Sequence, residues 1–128
     1  MARNESAATE TTDRSGQQSV TVTAEWRDRS VVLAVSGEID MVTAPRLQKE
    51  MSAALEQQPD RLVVDLTEVG FFDSAGLSAL VAAYQQAGKQ SSVRVVASNG
   101  ATVRPLQLTA LDRKILVYGS VDDALAGH

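Results

Sequence analysis

The sequence contains no cysteine, and its single histidine, His128, is the last residue. The first absence excludes disulfide frameworks, zinc ribbons, iron–sulfur ligation and thiol catalysis. The second removes most Ser-His hydrolase arrangements and any multi-histidine metal site. Basic excess is also missing: 12 Lys and Arg stand against 16 Asp and Glu, a net charge of −4. That balance argues against direct nucleic-acid binding, which needs a basic face. No apolar run approaches the ~20 residues of a membrane helix, so membrane insertion is not expected. Met1–Ser19 has no apolar core and does not read as a signal peptide. Neither G-x-G-x-x-G nor a Walker-type phosphate loop occurs, and no cofactor or metal is expected. What remains is a cytoplasmic domain without a membrane segment, and 128 residues suit one domain with its own core.

Residues 1–18 hold no Val, Ile, Leu or aromatic residue. Such a segment cannot offset its ordering entropy by burial, so it is expected to be a flexible tail preceding a domain over 19–128. Val20, Val22 and Ala24 alternate with Thr21, Thr23 and Glu25, the period of a half-buried strand. A turn at Asp28-Arg29-Ser30 and a second strand from Val31 to Val35 complete a hairpin, with Trp26 read as covering core. Thr43 or Ala44 caps a helix with Pro45 in its first turn, and Leu47, Met51, Ala54 and Leu55 form its apolar stripe. Leu62-Val63-Val64 predicts a short strand ending at Asp65-Leu66, followed by a turn through Thr67–Gly70. Leu77, Leu80, Val81, Tyr84 and Ala87 then recur at helical spacing, with Gly88 as the stop. A strand over Val93–Ala97 follows, then a turn at Ser98-Asn99-Gly100. A short helix with Val103, Leu106, Leu108 and Leu111, a strand over Ile115–Tyr118 and a terminal helix capped by Ser120-x-x-Asp123 complete the chain. Strands alternating with helices imply an α/β fold with a largely parallel sheet, made mixed by the hairpin.

The most informative segment is Phe72-Asp73-Ser74-Ala75-Gly76-Leu77, between a strand and a well-patterned helix. Asp73 or Ser74 suits the N-cap, where free N–H groups and the positive end of the helix dipole tolerate negative charge. A phosphoryl group on Ser74 would add roughly −1.5 to −2 charges beside Asp73 and near the Glu38-Ile39-Asp40 loop. The domain would survive, while a partner pressed against that surface would meet repulsion and desolvation. A plain structural cap is the simpler reading of Asp73 and Ser74 alone. Gly76 pulls the other way, because a first-turn glycine costs ~1 kcal/mol against alanine and calls for close helix–sheet packing or a close partner. A hydrolase reading of Ser74 fails, since the residues two before and two after it are Phe72 and Gly76 and no general base is at hand. Asp65 as a phospho-acceptor lacks the lysine that a receiver domain needs after a late strand, and reads instead as a strand-end residue bonded to its loop.

From about Val20 to Leu125 the chain resembles a STAS domain of the anti-sigma factor antagonist type. Three segments carry the resemblance: Val35-Ser36-Gly37-Glu38-Ile39-Asp40 with Thr43-Ala44-Pro45; Val64-Asp65-Leu66 with Val69 through Leu77; and Leu106-x-Leu108-Thr109-x-Leu111-Asp112 with Val117-Tyr118 and Asp123-x-Leu125. It implies a mixed four- to five-stranded sheet with about four helices mainly on one side, and a regulatory protein rather than an enzyme. In such antagonists the unmodified protein binds an anti-sigma factor that is also a serine kinase of the GHKL type, and a sigma factor is released. Phosphorylation of the serine after the signature aspartate ends the interaction, and a PP2C-type phosphatase restores it. Carried over by position, the phospho-acceptor is Ser74, and Asp40, Asp73, Ser74, Ala75 and Gly76 form the partner-binding surface. Ala75 stands where the family often has Ser or Thr, and the long N-terminal tail is not typical. Two other roles stay open for such a domain: a scaffold subunit in a transport or stressosome-like assembly, and a module sensing a nucleotide or other small ligand.

Overall fold

The computed structural model describes residues 20–127; the tail expected over residues 1–18 and the terminal His128 lie outside them. Strands β1 (Val20–Arg27) and β2 (Ser30–Ile39) form the antiparallel hairpin, closed by Asp28 at φ 56°, a left-handed turn that Asp tolerates better than most residues. Helix α1 (Ala44–Leu55) leads into β3 (Arg61–Phe72), which runs parallel to β2. Helix α2 (Ser74–Ala87), strand β4 (Ser92–Val96), helix α3 (Gly100–Leu108), a single 3-10 turn (Leu111–Arg113), strand β5 (Leu116–Tyr118) and helix α4 (Val121–Ala126) follow. The sheet order is β1-β2-β3-β4-β5, antiparallel at its first pair and parallel thereafter. The mixed α/β architecture is the expected one.

Two apolar clusters occupy the two faces of the sheet. Val31, Leu33 and Val35 of β2, Leu62, Val64 and Leu66 of β3, and Val93 and Val95 of β4 point toward α1, α2 and α3. From α1, Leu47, Met51, Ala54 and Leu55 meet them, the stripe read from sequence. Burying side chains such as Leu47 and Met51 completely stabilises the fold by about 1.5–3 kcal/mol each. On the other face α4 covers Val32, Val63 and Val96 with Ala124, Val121 and Leu125, joined by Tyr118 of β5. Arg94, buried on that same face, donates from Nη1 to the carbonyls of Ala124 and Gly127, 2.8 Å each, and so clamps the C-terminal end of α4.

Several local readings differ from the structure. β3 does not stop at Leu66: its pairing with β2 continues to Phe72 through two register shifts, between Ala34 and Ser36 and between Gly37 and Glu38. Asp65 lies at the first of these bulges, where Oδ1 accepts from Thr67 N (3.1 Å) and Thr67 Oγ1 (2.8 Å). The buried face of α2 is Gly76, Ala79, Leu80, Ala83 and Ala87, with Leu77 and Val81 half-buried and Tyr84 exposed. Small side chains there allow α2 to lie close to α1 and the sheet. Leu108 is 79% exposed rather than part of the α3 stripe, since the helix ends there and its inward face is made by Thr102 and Leu106. Trp26 is also exposed, because it sits on the outermost strand beyond the reach of the helices.

Candidate functional site

Strands β2 and β3 end side by side, with Ile39 paired to Phe72. The chain leaves both strands at the carboxyl edge of a parallel pair, where open α/β sheets present their loops and helix starts. Asp73 N donates to the Ile39 carbonyl at 3.1 Å, tying the entrance of α2 to the end of β2. The two acidic segments seen in sequence, around Asp40 and Asp73, are therefore neighbours in space.

The Asp73 segment is a complete helix cap. Asp73 has extended backbone geometry, and its Oδ1 accepts from Ala75 N at 2.8 Å. Its carbonyl accepts from Gly76 N and Leu77 N, at 3.0 and 3.2 Å, starting the helical ladder. Ser74 is the first helical residue; it is exposed, while Asp73 and Ala75 are half-buried. Gly76 is buried beneath them, packed against the sheet. A Cβ there would stand 2.7 Å from Phe72 Cε1 and 2.8 Å from Ile39 Cγ2. Of the two reasons that sequence left open for this glycine, close helix–sheet packing is the one observed.

The Asp40 segment is organised differently from the helix cap expected at Thr43. Thr43 makes no side-chain cap; its Oγ1 donates back to the Glu38 carbonyl (2.7 Å) and accepts from Asp40 N (2.9 Å). Asp40 Oδ1 accepts from Val42 N at 2.9 Å and Thr43 N at 3.0 Å. The Asp40 carboxylate is thus engaged in its own loop, an Asx turn that fixes the backbone of residues 40–43. The consequence is outward presentation of Met41 and Val42, 78% and 69% exposed. At the adjoining end of β3, Phe71 is 49% exposed. Sequence reasoning passed over these three apolar residues; the signal available was that each abuts an acidic loop at a strand end.

The support behind the site comes from Asn99. Its Oδ1 accepts from Thr102 N at 3.2 Å and caps α3, while Nδ2 donates to the carbonyls of Thr67 and Val69, 3.2 Å each. β4 pairs with β3 only as far as Asp65, so this amide supplies partners that the ladder no longer provides. Among the described residues no helix is long and apolar enough to cross a membrane.

A family model described as the STAS domain matches residues 21–124, and the chain belongs to that family. It is 35% identical over 113 residues to the anti-sigma-F factor antagonist RsfB of Mycobacterium tuberculosis, covering 88% of this chain and 93% of that protein. The crystal structure of an anti-sigma factor antagonist from Mycobacterium paratuberculosis superposes with a TM-score of 0.83 at 44% identity, covering 88% of this chain and 97% of the other. The Bacillus cell fate determinant SpoIIAA in its phosphorylated form shares the fold, with a TM-score of 0.65 at 16% identity over 83% of this chain and 97% of that one.

Proposed function

We propose that this chain is an anti-sigma factor antagonist: unmodified, it binds an anti-sigma factor, and phosphorylation of Ser74 ends the binding. The observation that carries the reading is Ser74 itself, an exposed hydroxyl on the first residue of a capped helix, at the sheet edge that also carries the exposed apolar residues Met41, Val42 and Phe71. Relatives at 35–44% identity over most of the chain are named as antagonists of anti-sigma factors, which supports the assignment. Asp73, Ser74 and Ala75 form the contact strip, and Asp40 holds the adjoining loop in shape.

The physics of the switch follows from the surroundings. An anti-sigma factor docked here desolvates the apolar rim and the Ser74 hydroxyl together. The partner is an ATP-dependent serine kinase of the GHKL type: Ser74 Oγ attacks the γ-phosphorus of ATP, the bond to ADP breaks, and the hydroxyl proton passes to a base on the kinase. The product adds roughly −1.5 to −2 charges next to the Asp73 carboxylate. The helix N-terminus tolerates that charge in water, whereas the same dianion sealed under a partner loses its hydration and faces Asp73. A PP2C-type phosphatase resets the state by hydrolysing the ester.

The test is incubation of the chain with its cognate anti-sigma factor and ATP, followed by mass spectrometry and calorimetric titration. One phosphate on Ser74, none on Ser74→Ala, and weaker binding by Ser74→Asp with an unchanged circular dichroism spectrum are expected. Undiminished labelling of Ser74→Ala would overturn the assignment.

A further inference from the structure

At the end of the sheet remote from Ser74, arginines stand at the last residue of β1 and the first of β3. Arg27 pairs with Ser30, Ser30 with Arg61, and Arg61 with Ser92, so these residues occupy one rung across β1, β2, β3 and β4 and project from the same face. Arg29, in the hairpin turn, stands over this rung. Its Nε donates to Asp60 Oδ1 at 3.2 Å and its Nη2 to the Gln58 carbonyl at 3.1 Å, while Asp60 N bonds the Arg29 carbonyl at 2.7 Å. The turn is therefore pinned in place.

Together these groups wall a cleft of about 350 Å³ that is closed on one side by Leu125 of α4. Three guanidiniums line it against the carboxylates of Asp28 and Asp60, in a protein whose net charge is −4. Ser30, at the centre of the rung, is only 6% exposed. Among the described residues Arg27 gives one bond, to Glu25 at 3.3 Å, and Arg61 forms no ion pair, so within that part of the molecule most of their donors are uncommitted.

We propose that this cleft binds a phosphoryl dianion. Arg27 and Arg61 are two strands apart, roughly 9–10 Å along the rung, and their long, flexible side chains can reach over Ser30 between them. A tetrahedral dianion accepts a forked pair of N–H bonds from each side and a third contact from the hydroxyl below. A carboxylate, planar and singly charged, satisfies one guanidinium and leaves the other. The phosphoryl group can belong to the free ion or to a small ester, since the cleft is open to solvent on its outer side.

The experiment is a 15N NMR titration at constant ionic strength with inorganic phosphate, with glycerol 3-phosphate and, as a control, with acetate. Saturating shifts at the Ser30 and Arg61 amides with either phosphoryl probe, absent with acetate, are expected; which probe binds more tightly identifies the source. Arg61→Gln and the exposed Arg27→Gln should each weaken binding at least ~10-fold, in line with loss of a charge-assisted fork. Shifts that rise linearly without saturating, equal shifts with acetate, or unchanged curves in both variants would overturn the proposal. None of these readouts involves Ser74, so the outcome is independent of the switch.

Discussion

Gly76 lies directly over the Phe72 ring, with room for a hydrogen atom and no more: a Cβ would come within 2.7 Å of Cε1. This contact sets the height of the first turn of α2 above the sheet, and so the position of Ser74. Gly76→Ala gains ~1 kcal/mol of helix propensity but meets an overpacking penalty that typically reaches 1–3 kcal/mol. Because both facing groups, Phe72 and Ile39, are buried and cannot swing aside, the penalty wins. A fall of up to about 2 kcal/mol in unfolding free energy is expected by urea denaturation, with partial recovery in Gly76→Ala/Phe72→Leu.

Met41 and Phe71 are expected to be anchors for the partner. Truncating either to alanine should lower affinity for the anti-sigma factor about 5- to 30-fold, as for well-packed interface residues. Leu108→Ala, at a residue as exposed as Met41 but on the far end of α3, should leave affinity unchanged. Calorimetric titration of the three variants checks this, and thermal unfolding should show all three near wild type.

The carboxylate of Asp40 accepts two backbone N–H bonds from its own loop. Asp40→Asn keeps an acceptor oxygen and should retain most of the binding, whereas Asp40→Ala frees the loop and should weaken it about 10-fold, given that a local side-chain bond of this kind contributes ~1 kcal/mol or somewhat more. Equal losses in both variants would instead mean that the charge itself meets the partner.

Asn99 joins the start of α3 to the far half of β3. Asn99→Ala removes a helix cap and orphans two strand carbonyls, so a loss of about 2–3 kcal/mol is expected in urea denaturation. Asn99→Asp keeps the cap but not the donor, and should fall between the two.

The order of elements was legible because strand and helix periods differ and because Pro45, Gly88 and Ser120 punctuate the chain where expected. What escaped was information held in other strands. Thr67–Gly70 looks like a turn in isolation, and only pairing with β2 through two bulges makes it strand. The buried stripe of α2 is written in Gly76, Ala79 and Ala83, residues too small to mark a hydrophobic face. In the site, the Asp73 cap is local chemistry and was readable; the alignment of Asp40 with it depends on the Ile39–Phe72 pairing, which no local pattern reveals. By residue type Leu108 and Trp26 belong inside, and the structure leaves both outside because, among the described residues, no element reaches over them.

The cover formed by α4 has a practical consequence. One short helix, held at its end by Arg94, shields the apolar strip of Val32, Val63 and Val96. A fusion partner or affinity handle joined directly after Gly127 would pull on that lid and bare a ready surface for self-association, whereas one attached ahead of β1 leaves it shut.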